Sequence, residues 1–180
     1  MKHTVQVEDK EFEILLENDQ ISKRTRLMGI QLNVDYENRC PIIIGVLNGS
    51  FLFMADLIKE LTIPCEVGFI RVSSYKGTST SGEVKEAFGL PDTLQNRDVI
   101  IVEDIVDTGH TLKFILEKVY QQRPASVKVC SLLFKPAALL APVKELEYVG
   151  FEIPNEFVVG YGLDYNGLGR NLTHIYRATD

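Results

Sequence analysis

Val99-Ile100-Ile101-Val102-Glu103-Asp104-Ile105-Val106-Asp107-Thr108-Gly109-His110-Thr111-Leu112 joins an apolar strand, three carboxylates and a small hydroxylated turn in one unbroken segment. Val99 to Val102 are all β-branched, which suits a strand buried on both faces of a parallel sheet. The strand is predicted to stop at the two adjacent acids. Beyond the turn, Leu112, Ile115, Leu116 and Val119 recur at helical spacing, so a helix is predicted to begin near Gly109. Acids and turn therefore fall where strand becomes helix. In an open α/β sheet that is the carboxyl edge, where ligands bind, and the free N–H groups of the helix start form an anion site.

An anion site beside three acids is a contradiction unless something separates the charges. Sugar hydroxyls donate hydrogen bonds to carboxylates, and Mg²⁺ bridges carboxylate oxygens to phosphate oxygens. A ligand with a phosphate at one end, a ribose in the middle and a metal-bound polyphosphate satisfies every group. The segment resembles the signature of the purine phosphoribosyltransferases, which bind 5-phosphoribosyl 1-diphosphate.

Other readings fail on their requirements. Asp107-Thr108-Gly109 is also the triplet of aspartic proteases, but that chemistry needs an all-β fold with a second aspartate and leaves Glu103 and Asp104 without a role. No Walker A pattern occurs, and Gly45-Val46-Leu47-Asn48-Gly49 lacks the spacing of a dinucleotide fingerprint. Solvated loop acids with a helix cap would account for Asp107-Thr108 but not for two more acids at the strand end.

The 180 residues suffice for one domain, read as 1–180, and 45% hydrophobic content builds a sizeable core. A formal charge of -6 argues against nucleic-acid or anionic-membrane binding, so an anionic substrate must be handled locally. No apolar run is long enough to span a membrane, and the amino terminus lacks the pattern of a leader, which reads as a cytoplasmic protein. Cys40, Cys65 and Cys130 are odd in number and widely spaced beside apolar runs, favouring reduced, buried thiols over disulfides or a zinc site. Of the histidines, only His110 lies in a motif; His174 reads as structural or surface.

Outward from the opening segment, a strand at 11–16 and a helix at 21–32 are predicted, followed by alternation without internal repeats. Strands fall at 42–47, 66–72, 99–102, 127–134 and 157–159, and helices at 51–61, 111–120 and 136–140. Such alternation implies a parallel sheet. Residues 73–82, from Ser73-Ser74-Tyr75 to Gly82, are too polar and too long for an ordinary connection and read as a mobile loop.

The resemblance runs from the Asn48 turn to Arg170, with motifs in family order. It implies an α/β, type I phosphoribosyltransferase fold: a central, mainly parallel sheet flanked by helices, with a small hood and a mobile lid loop. The implied reaction is Mg²⁺-dependent transfer of the 5-phosphoribosyl group to a 6-oxopurine, hypoxanthine and with it guanine, by a homodimer or homotetramer. Glu103 and Asp104 would grip the ribose hydroxyls and a metal, and Asp164 would contact Mg²⁺ on the diphosphate side. Asp107 would accept the N7 proton of the purine. Thr108, Gly109, His110 and Thr111 would hold the 5′-phosphate, with no chemistry assigned to the His110 side chain. Lys135, at the end of an apolar strand, would donate to the ring carbonyl, Phe157 would stack on the heterocycle, and the Val158 backbone would read its edge.

In the family, a Ser-Tyr pair occupies the lid, matched here by Ser74-Tyr75. The turn at Asn48-Gly49 would bind diphosphate and carry a non-proline cis peptide between Leu47 and Asn48. Many relatives have a lysine where this chain has Asn48, so backbone N–H groups and Arg170 would supply the anion contacts. The same fold also serves regulators that bind the sugar diphosphate to control RNA or DNA; such a protein wants a basic stripe or a helix-turn-helix, and this chain shows neither.

Overall fold

The computed structural model describes residues 4–74, 84–91 and 93–179. Its central sheet contains β3 (Ile42–Leu47), β4 (Glu66–Ser74), β5 (Val84–Phe88), β6 (Asp98–Val106), β7 (Ser126–Phe134) and β8 (Leu146–Glu152) in the order β5-β4-β3-β6-β7-β8. All neighbours run parallel except β5, which returns antiparallel along β4.

The two-residue period of the strands sorts the apolar side chains into two cores. On one face, Ile43, Ile100 and Val102 pack with Ile21, Met28 and Leu32 of α1 (Asn18–Asp35) and Phe53, Met54 and Leu57 of α2 (Phe51–Lys59). On the other, Ile42, Ile44, Val99 and Ile101 pack with Leu112, Ile115, Leu116 and Val119 of α3 (His110–Gln121). Each fully buried aliphatic side chain contributes roughly 1.5–3 kcal/mol, which is why a strand apolar on both faces sits in the middle of the sheet.

The chain leaves β3 through α2 toward β4 on one side, and leaves β6 through α3 toward β7 on the other. Because β3 and β6 are neighbours whose connections diverge to opposite faces, their carboxyl ends open a crevice. The sheet's topology places a ligand site there, and the turns that follow β3 and β6 line it.

A second sheet of four antiparallel strands, in the order β1-β2-β10-β9, supplies the small hood; its strands are β1 (Thr4–Val7), β2 (Lys10–Leu16), β9 (Val158–Val159) and β10 (Ile175–Ala178). The predicted strands at 11–16 and 157–159 therefore belong here and not to the parallel sheet.

Three expectations are corrected. The strand carrying the acids does not stop at Val102: β6 continues to Val106, with Glu103 paired opposite Ser131 of β7, because backbone pairing persists where a polar side chain faces a cleft. The helix at 136–140 reduces to a single 3-10 turn, Pro136–Ala138, after which Leu139 is extended. So short an apolar run cannot offset helix nucleation, and Pro142 disfavours helical backbone just beyond it. Ser73 and Ser74 end β4, paired with β5, instead of opening the loop; Tyr75 and the remainder of the lid at 75–82 lie outside the described residues. The thiols also differ from expectation, since Cys130 is buried, Cys65 partly so and Cys40 exposed.

Candidate active site

The crevice between β3 and β6 is a cleft of about 270 Å³ lined by Leu47, Gly49, Glu103, Asp104, Asp107, Thr108, Gly109 and Thr111, with Val46, Val72, Ile105, Val106 and Leu112. Six candidate site residues of the opening acid-and-turn motif, Glu103, Asp104, Asp107, Thr108, Gly109 and Thr111, thus share a wall with the Gly49 turn.

Glu103 is only 5% exposed, and burial, then the neighbouring Asp104 charge, pushes its carboxyl well above the usual carboxylate range. Burial also pushes Asp104 up to about 6, against the Ile105 N–H that donates to its Oδ1 at 2.9 Å and the Arg170 charge. Two adjacent carboxyls held this far from comfortable ionisation are poised for a partner that stabilises their charge, such as hydroxyl donors or a cation.

The turn after β3 lies directly against Asp104. A β-carbon at Gly49 would overlap the Asp104 carboxylate, and one at Gly162 would overlap the Gly49 carbonyl oxygen. Only glycines allow this stack of backbone on backbone on carboxylate. Gly160, Tyr161 and Gly162 all have positive φ (99°, 48° and 102°), and this left-handed curl carries the chain onto Gly49. Sequence reasoning missed Gly162; the Gly-x-Gly spacing across Tyr161 was the available signal. The Leu47-Asn48 peptide is cis, as the resemblance implied.

Arg170 closes this side. Its guanidinium donates to Gly162 O at 2.6 Å and pairs with Asp164 Oδ1 at 2.6 Å, while Asp164 Oδ2 accepts from Gly167 N at 2.7 Å. Each Asp164 oxygen keeps a lone pair for one further partner.

At the other end of the cleft, Gly109 takes the left-handed conformation (φ 85°) and forms the N-cap of α3, turning the chain so that the first helical amides face the cleft end of β6. No side chain caps that start, and the amide of His110 reaches Thr108 Oγ1 only at 3.5 Å. Open amides at a helix start are an anion site. The exposed His110 side chain lines a separate apolar hollow with Lys113, Leu116 and Tyr120, not the cleft.

Lys135, the residue after β7, is 6% exposed, and its Nζ lies 3.2 Å from Asp107 Oδ2. The backbone secures the same pair, since Lys135 N donates to Val106 O at 2.9 Å. Phe157 stands apart from the cleft. Its half-exposed ring meets Tyr165 edge-on at 5.6 Å and Phe12 at 6.2 Å, beside a hood cleft that includes Lys10 and Glu156. Val158 is buried, paired with Arg177 of β10. Among the described residues, no group of three or more acids, histidines or cysteines forms a preassembled metal site.

Fold and cleft define an α/β protein whose switch point joins paired acids to an anion-binding turn. Residues 12–166 match the phosphoribosyl transferase domain. The chain is 41% identical to the hypoxanthine-guanine phosphoribosyltransferase of Bacillus subtilis, across 97% of this chain and 94% of that one. It superposes on a hypoxanthine phosphoribosyltransferase from Staphylococcus aureus with a TM-score of 0.86 at 42% identity, over 92% of this chain and 90% of that one. It is also 44% identical to the bifunctional protein TilS/HprT of Listeria innocua, of which it spans only 25%. The chain belongs to the phosphoribosyl transferase family.

Proposed function

We propose that the protein transfers the 5-phosphoribosyl group of 5-phosphoribosyl 1-diphosphate to hypoxanthine and to guanine, giving IMP or GMP and diphosphate. The observation that carries this reading is the cleft in which buried Glu103 and its partly buried neighbour Asp104 meet Asp107 and the open start of α3. The relatives named for this activity support it.

In this reading the amides and hydroxyls of 108–111 hold the 5′-phosphate, and Glu103 and Asp104 accept hydrogen bonds from the ribose hydroxyls. Backbone N–H groups at Asn48 and Gly49, together with Arg170, Ser74 at the end of β4 and Tyr75 after it, hold the diphosphate. Purine N9 forms its bond to C1 as the bond from C1 to the diphosphate oxygen breaks, and the N7 proton passes to the Asp107 carboxylate. Lys135 donates to the 6-oxo group, and Phe157 and the Val158 backbone close over the base once the hood and the substrate meet. The chain's principal contribution is position and charge complementarity.

Glu103, Asp104 and Asp164 fit Mg²⁺, which takes hard oxygen ligands, keeps several waters and needs only one or two protein carboxylates besides substrate oxygens. The hard-to-ionise Glu103–Asp104 pair and the spare lone pairs of Asp164 are the features that suit it. When bound, the ion would neutralise charge on the departing diphosphate.

Absorbance assays with hypoxanthine, guanine, xanthine and adenine, each with the sugar diphosphate and with or without Mg²⁺, test the proposal. Metal-dependent turnover of hypoxanthine and guanine is expected; binding of the diphosphate with no turnover of any base would favour a regulator instead. A cytoplasmic homodimer or homotetramer is the accompanying proposal, checked by sedimentation and by fractionation; among the described residues no helix is long and apolar enough to cross a membrane.

A further inference from the structure

The curl at 160–162 runs through three consecutive left-handed residues, and the middle one is not a glycine: Tyr161 has φ 48°. A bulky side chain on such backbone is uncommon, because its β-carbon crowds a neighbouring carbonyl, and the strain persists only where the surroundings over-determine it. A glycine would take the same turn freely. What the tyrosine adds is a phenol. Its ring is buried, and its hydroxyl donates to Asp56 Oδ2 at 2.5 Å. Burial, then this bond, pushes the phenol far up, so it stays a donor.

Asp56 belongs to α2, the helix that leaves the Asn48-Gly49 turn. The start of that helix is tied back to β3, since buried Ser50 donates from N and Oγ to Val46 O at 3.2 Å and 2.6 Å. Asp56 Oδ1 pairs with Lys59, one turn further along, which orients the carboxylate. The phenol–carboxylate bond therefore joins the two segments whose backbones touch beside the cleft, across 105 residues of sequence. Next to Tyr161, Gly162 lies so close to the Gly49 carbonyl that no β-carbon fits. Gly162 also exchanges two hydrogen bonds with Arg170, donating from N to the Arg170 carbonyl at 3.0 Å and accepting from its guanidinium at 2.6 Å.

We propose that Tyr161, acting through Asp56, is a positioning residue for the sugar-diphosphate end of the transfer reaction proposed above, on which this inference rests. The phenol clamps the curl to α2 and so fixes the Gly49 backbone and the Arg170 guanidinium relative to each other. Without the clamp the strained curl relaxes and that spacing is lost, while Asp107 and Lys135, anchored on β6 and β7, stay in place.

The test combines calorimetry of 5-phosphoribosyl 1-diphosphate with Mg²⁺ and KM values for the sugar diphosphate and for hypoxanthine, on Tyr161→Phe, Asp56→Ala, the double variant and Tyr148→Phe. The last removes the same kind of bond elsewhere, since Tyr148 of β8 donates to Asp35 Oδ2 of α1 at 2.8 Å. At a temperature where every variant is folded, Tyr161→Phe should weaken sugar-diphosphate binding and raise its KM by roughly 10-fold, with the KM for hypoxanthine within about twofold. Asp56→Ala should act in the same direction, and the double variant should be no worse than the more affected single one, because both changes remove one contact. Tyr148→Phe should leave both constants unchanged. Unaltered sugar-diphosphate affinity in Tyr161→Phe, equal shifts in the two KM values, additive effects in the double variant, or the same shift from Tyr148→Phe would each overturn the proposal. Affinity is read without turnover, so a protein that binds the sugar diphosphate but turns over no base would defeat the transfer reading and leave calorimetry to decide the clamp. A protein that binds no sugar diphosphate would overturn both.

Discussion

The buried Lys135 ammonium lies 3.2 Å from the Asp107 carboxylate, whose side chain is 45% exposed on the cleft side. One member is anchored in the fold and the other reaches into the cleft, so Lys135 fixes where the carboxylate points. Asp107→Asn keeps the shape and the contact but removes the proton acceptor. Turnover should fall by roughly 10²–10⁴-fold. Sugar-diphosphate affinity, read by calorimetry, should change little, and near-normal turnover would remove Asp107 from the role.

Lys135→Ala tests the other partner. It strips Asp107 of its anchor and removes the proposed donor to the ring carbonyl, so the KM for the base should rise and kcat should fall. Removing an oriented, charge-assisted hydrogen bond costs about 1.5–3 kcal/mol. An effect on sugar-diphosphate affinity alone would contradict the base-side assignment.

Gly49→Ala places a methyl group where the Asp104 carboxylate lies. Either the turn or the acid must move, and a shift of that order should lower kcat/KM by about 10²-fold. The expected signature is weaker sugar-diphosphate binding with base recognition largely kept. A melting temperature close to that of the unsubstituted protein would separate this effect from unfolding.

The centre of the fold was legible because residues such as Ile42–Ile44 and Val99–Val102 are apolar on both faces, which only a middle strand of a covered sheet requires. The edges were less so. β8 mixes Glu147, Gly150 and Glu152 into its alternation, and Gly150 is there because a β-carbon would strike the Leu132 carbonyl. β1 and β10 have four residues each, too short for periodicity. α1 begins at Asn18, three residues before the predicted start, because its cap is Glu17 boxed with Gln20 and not one of the usual hydroxyl or short acid caps. In the site, residue type and order identified the acids and the turn, whereas the packing of Gly162 on Gly49 joins segments far apart in sequence, so the Gly-x-Gly spacing across Tyr161 marked a turn without showing what it packs on.

The first helix is also held by a residue near the other end of the chain. Asn18 N donates to His174 Nδ1 at 2.9 Å, and Asn18 Nδ2 donates to Thr173 O at 3.0 Å, which gives His174 the structural role read from its sequence context. His174→Ala removes an acceptor from a helix start and should cost about 1 kcal/mol. For a chain of this size that is a fall of roughly 2–4 °C in Tm, with turnover unchanged. Loss of activity at full stability would show that His174 acts on the site instead.

Asp56 gives stability a pH dependence of known sign. Burial pushes its carboxyl up, but Lys59 and Tyr161, each 2.5 Å from one of its oxygens, more than cancel that and hold it below its ordinary value of 3.8. A carboxyl with a depressed folded-state pKa stabilises the fold above its unfolded value and loses that contribution as pH falls through the folded one. Tyr161→Phe removes one donor. With Asp56 partly exposed, the loss at neutral pH should be about 1 kcal/mol, less than a fully buried charged bond would contribute. Denaturant melts of the two proteins should therefore differ near neutrality and converge as the pH is taken well below 3.8, where Asp56 is protonated in both. A difference that stayed constant with pH would mean the phenol contributes by packing and not through the carboxylate.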